Sequence, residues 1–321
     1  MNRPLIVSTL LALGVLGAGE GAAQVPARFY WKTLSGARAV PVIVNSLSGN
    51  TNPFDPSHAV SPGSSVDATL VIGGYARTFT ALGRAGMAAV LLPMGRISGQ
   101  VPVGLQTVSQ SAKGFGDPMI EGNLNVIGRP SLRTLPGVQR YEPGLTVDLI
   151  ADLAIPIGAY DSSQALNLGQ NRWYGRVGAP VVWQLGGWVP GRRTTLEFLP
   201  ALWVFGANDN YNGGQTLETD PLFQLDGHLT RDVTETLWVS LDGSWYTGGR
   251  ATVNGVQGSS LNNLGFGLTV GYPVNEHLNL TLGYKSTVND DAPGDLQMGG
   301  FMVSLVYGWH PLLEGVRRLK E

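Results

Sequence analysis

The sequence predicts an all-β protein: a transmembrane antiparallel β-barrel of about twelve strands, preceded by an N-terminal signal peptide. Three observations predict it. Apolar residues recur at every second position in about a dozen segments, most of them near ten residues or longer, whereas soluble strands average about five or six. Charged residues are only 14% of the 321, against about 25% in ordinary soluble domains, too few to coat a soluble surface of this size. Past the N-terminus there is no unbroken run of about 18 apolar residues, so helical membrane spans are not expected.

The N-terminus reads Met1-Asn2-Arg3, then an apolar stretch from Leu5 to Leu16, then Gly21-Ala22-Ala23 before Gln24. A basic start, a short apolar core and small residues at the cleavage positions describe a signal peptide over residues 1–23. The stretch is too short to span a bilayer, which takes about 20 residues. Export of a chain without cysteine suits the bacterial periplasm or outer membrane better than a disulfide-built secreted domain.

Residues 24–38 form an N-terminal segment, 39–310 the barrel and 311–321 a periplasmic tail. The alternation is clearest in Leu145-Thr146-Val147-Asp148-Leu149-Ile150-Ala151-Asp152-Leu153, where both aspartates fall on the face opposite the odd-numbered apolar residues. The candidate strands are 39–48, 66–79, 86–96, 117–128, 145–157, 173–186, 194–206, 219–231, 236–248, 261–273, 277–288 and 298–310. A tilted strand crosses a bilayer in about nine to eleven residues, and an even count puts both chain ends on one side. Long links at 49–64, 98–116, 158–172, 207–218, 249–260 and 289–297 alternate with short ones near 81–85, 187–193, 232–235 and 274–276. The short ones are expected to face the periplasm. One link, 129–143, is long for its side. Trp183, Trp203, Trp245, Tyr246, Tyr272, Tyr307 and Trp309 lie towards strand ends, where interfacial girdles need rings.

Composition excludes several functions. A net charge of -2 gives no basic excess for nucleic acid. Without cysteine there is no thiolate chemistry and no Cys-based metal site. Walker and G-x-S-x-G sequences are absent, and the four histidines, His58, His228, His277 and His310, have no metal-like partner at close spacing. Asn208-Asp209-Asn210-Tyr211-Asn212-Gly213 weakly resembles a calcium loop, but Thr219 stands where the twelfth-position Glu belongs, so it reads as a polar loop tip. No cofactor, metal or catalytic residue is expected.

If the apolar faces meet lipid, the opposite faces line the lumen. The charged and titratable candidates for a solute path are Asp67, Arg77, Glu121, Asp148, Asp152, Arg176, Glu197, Asp226, His228, Asp242 and Lys285. An Arg or Lys on the lipid face would cost up to about 2–4 kcal/mol, so the segregation is informative. Such an interior either conducts a solute or plugs a narrow barrel with ion pairs, and a structural or adhesive barrel is the alternative function. Acids outnumber bases, which favours a cation or neutral solute over an anion. His228, between Asp226 and Thr230 on the inner face, reads as a hydrogen-bonded lumen residue; a barrel hydrolase is the weaker alternative. The expected partners are outer-membrane lipids, the barrel-assembly machinery and a small-molecule solute.

At Gly114-Phe115-Gly116-Asp117-Pro118 the chain carries a G-x-G-D-P motif, and it opens with Arg28-Phe29-Tyr30-Trp31 ahead of an apolar strand. In both features it resembles the outer-membrane family named after the meta-pathway of phenol degradation. The resemblance extends over most of the mature chain. It implies a transporter barrel linked with uptake of aromatic or other hydrophobic compounds, and it supplies no catalytic residues. In the motif, Gly114, Gly116, Asp117 and Pro118 suit a backbone role: the glycines reach loop dihedrals closed to other residues, and the Asp-Pro pair starts a strand. The chain departs from a common barrel habit at its end, where Trp309 is followed by His310-Pro311 and a basic tail.

Overall fold

The computed structural model describes residues 26–103, 106–288, 292 and 294–318. The signal peptide expected over residues 1–23 and the end of the expected tail, 319–321, lie outside them. The strands are β1 (Arg38–Gly49), β2 (Ser65–Ala81), β3 (Arg84–Val103), β4 (Gln106–Phe115), β5 (Met119–Ile127), β6 (Leu145–Ala154), β7 (Tyr174–Gly178), β8 (Val181–Gln184) and β9 (Thr194–Phe205). After them come β10 (Asn208–Tyr211), β11 (Gln215–Thr219), β12 (Leu222–Asp232), β13 (Trp238–Gly248), β14 (Ala251–Val253), β15 (Val256–Gln257), β16 (Leu261–Pro273), β17 (Leu278–Val288) and β18 (Met298–Trp309). Two short helices, α1 (Leu135–Gln139) and α2 (Pro311–Arg318), complete the description.

These segments close into a twelve-stave antiparallel barrel. β4 and β5 are one stave interrupted at 116–118: β4 pairs the far half of β3 and β5 its near half. β7 and β8 are likewise one stave broken at Ala179-Pro180, and both pair β6 on one side and β9 on the other. Proline cannot donate to a ladder, so each break falls at a proline, Pro118 or Pro180. β9 pairs β12, and the first and last staves pair from Arg38↔Trp309 to Gly49↔Met298, which leaves the sheet without an edge. All twelve strands read from the alternation are present. The four strands outside the barrel, β10, β11, β14 and β15, form a small sheet of their own at the long-loop end.

The outward side chains form an apolar surface that includes Leu149, 55% exposed, and Phe301, 65% exposed. Trp183, Tyr272 and Tyr307 point outward as a girdle requires. Trp203 and Tyr246 do not. Both are buried inside the barrel, Trp203 against the Arg176 guanidinium at 4.9 Å and Tyr246 against His58 at 4.8 Å between ring centroids.

A second correction concerns 98–116, read from the sequence as a loop. It is the far half of β3 with β4, a hairpin that pairs Met94 with Phe115 through Val103 with Gln106. Register puts Ser98, Gln100, Ser109 and Ser111 on one exposed face, while Ile97 and Val101 on the other are buried. The outward face is thus polar where a lipid-facing row would be apolar, and the membrane-strand pattern does not continue there.

The long link at 129–143 is a genuine loop at the short-turn end. It contains α1, capped by the Thr134 hydroxyl, which accepts from the Gly137 amide. Leu132 and Tyr141 pack with Leu34 of the N-terminal segment in a cluster separate from the main core. α2 lies at the same end, where Leu313 packs on the core and the His310 imidazole meets the Ser35 carbonyl at 3.0 Å.

Candidate functional site: the barrel interior

Nine of the eleven candidate path residues point into the barrel. Asp67 and Arg77 do not: both are exposed on the outer face of β2, Asp67 accepting from the Ser48 hydroxyl at 2.6 Å. The inner face of β2 is Val66, Ala68, Leu70, Ile72 and Ala76, all buried. Both faces of this stave are apolar in its middle, so charge alone could not assign them. Asp67 and Arg77 sit near its two ends, where an outward charge reaches water.

The inner residues of the polar wall form a chain of contacts from stave to stave. Register places Glu121 of β5 beside Asp152 of β6, Asp152 beside Arg176 of β7, and Arg176 beside Trp203 of β9. The Arg176 guanidinium bonds Asp152 at 2.5 Å and stands 3.9 Å from Glu121. Trp203 Nε1 donates to Gln224 at 2.7 Å, and Gln224 donates to Asp226 at 2.7 Å. Nearer the short-turn end, the Asn125 amide donates to Asp148 at 2.6 Å. A buried charge needs such partners, and these acids have them.

His228 Nδ1 lies 2.7 Å from Asp242. Ser240 and Thr269 donate to the same carboxylate, each at 2.5 Å. The nearby hydroxyls therefore serve the aspartate, not the imidazole. A nucleophile-base pair would need the hydroxyl on the histidine.

Two pieces of chain fold inward, and neither was legible as a plug. The first is the N-terminal segment. The Arg28 backbone N–H and Trp31 Nε1 both donate to Glu197, each at 2.8 Å, and the Arg28 guanidinium pairs with Asp232 at 2.6 Å. Arg193 bonds the same aspartate at 2.7 Å. The two guanidiniums alternate with indoles: Arg28 lies 4.3 Å from the Trp31 ring and 4.6 Å from that of Trp238, while Arg193 lies 5.3 Å from Trp31 and 5.6 Å from Trp188. Desolvated cation–π contacts of this kind are worth about 2 kcal/mol each. Phe29 is buried with the apolar wall of β1 to β3.

The second piece is the β1–β2 loop, residues 50–64. Phe54, Asp55 and His58 are buried. Asp55 pairs with Arg172 at 3.1 Å, and the Phe54 carbonyl accepts from the Gln170 side chain at 3.0 Å. The loop is thus tied to the β6–β7 loop. That loop is in turn gathered by Asp117, whose carboxylate accepts the Gly158 amide at 2.8 Å and the Gln170 amide at 2.7 Å. Gly158 and Gly169 touch, and a Cβ on Gly169 would come within 2.6 Å of the Gly158 backbone. At the motif, Gly114 has φ +140° and the Gly116 amide donates to the Pro93 carbonyl at 2.9 Å. Gly114, Gly116, Asp117 and Pro118 thus make the stave break and hold a loop over the barrel mouth.

Asn208, in the segment weakly resembling a calcium loop, is buried and satisfied by protein: its carbonyl accepts from Asn171 at 2.9 Å and its amide donates to Tyr160 and to the Gln170 carbonyl. Farther out, donors from Ser163 and Gln164 hold the exposed Asp161 carboxyl below its ordinary range. Among the described residues no group of three or more His, Asp or Glu could hold a metal ion.

Over residues 49–305 the sequence matches the family described as "Putative MetA-pathway of phenol degradation". Among solved structures, the chain is similar to the COG4313 outer membrane channel from Pseudomonas putida F1, with a TM-score of 0.71 at 16% identity, covering 89% of this chain and 100% of that one. It also matches the β domain of the Bordetella autotransporter BrkA, with a TM-score of 0.48 at 11% identity, covering 86% of this chain and 100% of that one. No protein of curated function matches the sequence. The fold is that of bacterial outer-membrane barrels.

Proposed function

The chain belongs to the MetA-pathway phenol-degradation family, and on that premise we propose that it is an outer-membrane channel for passive, gradient-driven uptake of a small neutral or hydrophobic compound, with aromatic compounds foremost. The observation that carries this reading is a closed barrel, apolar outside, with a polar inner wall whose positions along β17 remain half-buried. An apolar outer surface meets lipid, and a polar interior is where solutes pass in such barrels. The short-turn end is assigned to the periplasm, and the long-loop end to the exterior. Lipid and a small solute are the partners; no covalent chemistry is required.

The inward N-terminal segment and β1–β2 loop favour a second reading, a plugged barrel with a structural or adhesive role. The two separate in cells. With the protein present, uptake of labelled catechol at limiting concentration is expected to rise above that of cells lacking it, in proportion to the outside concentration. Equal uptake in both strains contradicts the channel reading.

A further inference from the structure

The interior is not filled evenly. On the polar wall the inward side chains are sealed: Thr195 of β9 and Asp226 and Thr230 of β12 are each 0% exposed. On β17 the inward positions, Asn279, Thr281, Gly283, Lys285 and Thr287, are all half-buried. The anchors of the N-terminal segment, Glu197, Thr230 and Asp232, belong to β9 and β12, away from this stave. Its register neighbours are small. Lys285 stands in register between Gly267 of β16 and Gly300 of β18, and Thr287 beside Gly265.

A cavity of about 260 Å³ lies at the long-loop end of the same sector. Leu261, at the start of β16, and Gly294, in the β17–β18 connection, line it together with Ala59 and Val60 of the folded-in loop and Ala251 and Ser259. No charged side chain lines it. Among the described residues Lys285 forms no ion pair. The acids whose fields reach it, Asp226 and Asp242, are buried and already accept from Gln224 and from Ser240 and Thr269.

We propose that the solute route enters through this cavity and runs down the inner face of β17, and that Lys285 is the charge a passing solute meets, so that the channel prefers small solutes bearing an anionic or acceptor group over cations. The preference is opposite to the one the count of interior acids suggests. Those acids are sealed behind other donors, whereas the ammonium faces the route. Selectivity in pores follows the charges that line the passage. The inference rests on the channel reading and specifies the path within it.

The absence of cysteine makes the path testable on the full-length protein in lipid. Single variants Thr281→Cys and Lys285→Cys are expected to react with a water-soluble methanethiosulfonate, and Thr146→Cys, on the sealed inner face of β6, is expected not to. Failure of 281 and 285 to react in folded barrels, or equal reaction at 146, overturns the route whether or not current flows. In planar bilayers under a KCl gradient, the wild type is expected to pass chloride in preference to potassium. Lys285→Gln is expected to lower that ratio several-fold, and Thr281→Phe to cut conductance several-fold. An unchanged ratio in Lys285→Gln overturns the role of the lysine. Labelling at 281 and 285 with no current and no catechol uptake leaves the wetted path standing and removes the channel reading.

Discussion

Arg176 shows how much the interior depends on single residues. Its guanidinium joins Asp152 and Glu121 and lies over the Trp203 ring. Arg176→Met leaves two acids without their cation in a sealed wall, and removal of one partner from a buried pair costs about 3–5 kcal/mol. The midpoint of urea unfolding, followed by gel shift, is expected to drop markedly. Adding Asp152→Asn to that variant is expected to recover part of the loss, and no recovery would mean that the pair is not what Arg176 stabilises. At Asp117, two backbone donors bind the carboxylate, and hydrogen bonds to charged groups are worth about 1.5–3 kcal/mol each. Asp117→Ala is expected to expose residues 155–173 to protease in the otherwise intact barrel; an unchanged cleavage pattern would contradict its role as a loop anchor. Such residues differ in how far sequence reveals them. Asp148, Asp152 and Asp242 alternate with apolar neighbours and declare their face. Asp67 and Arg77 do not, because β2 is apolar on both sides and its inner face packs on the N-terminal segment and loop. Arg193 and Asp232 meet at the adjoining ends of β9 and β12, and Arg28 reaches them only through the inward fold of the N-terminal segment, so no local pattern announces the meeting.

Among the elements, strands that cross lipid are legible and strands that leave it are not. All twelve staves carry a lipid-facing row, so period two persists in each. The hairpin of the outer half of β3 with β4 carries a polar outward face, Ser98, Gln100, Ser109 and Ser111, in place of a lipid-facing row, and there the signal ends. The stave breaks at Pro118 and Pro180 follow from chemistry that is local and therefore readable. The N-terminal segment is the opposite case. Its Arg28-Phe29-Tyr30-Trp31 run looks like a strand approach, and only the ring of Glu197, Asp232, Trp188 and Trp238 turns it into a latch. Replacing Arg28 and Trp31 together by Ala removes the Trp31 indole donor to Glu197 and the Arg28 guanidinium contacts to Asp232 and Thr230, and breaks the indole–guanidinium stack. A Thr230→Cys reporter, sealed in the wild-type background, is expected to become reactive to a water-soluble thiol reagent in this double variant. A reporter that stays silent would show that the segment holds its place by other contacts.

The whole molecule accounts for the composition. Charge is scarce because one face of every stave meets lipid, and the remaining charge is divided among interior pairs, loops and the route along β17. Closure through β1–β18 and β9–β12 satisfies the backbone with no exposed edge, which a bilayer demands. A closed barrel of this kind is expected to resist unfolding in detergent at room temperature and to shift in gel mobility on boiling; protein that fractionates with the soluble periplasm and shows no shift would overturn the membrane assignment. The central claim is that the barrel passes a small solute down its gradient. The most direct measurement is swelling of liposomes containing the purified full-length protein in isosmotic arabinose and in isosmotic catechol. The account predicts swelling above that of protein-free liposomes, proportional to the amount of protein inserted, and slowed by Thr281→Phe. Swelling at the protein-free rate in both solutes would contradict it.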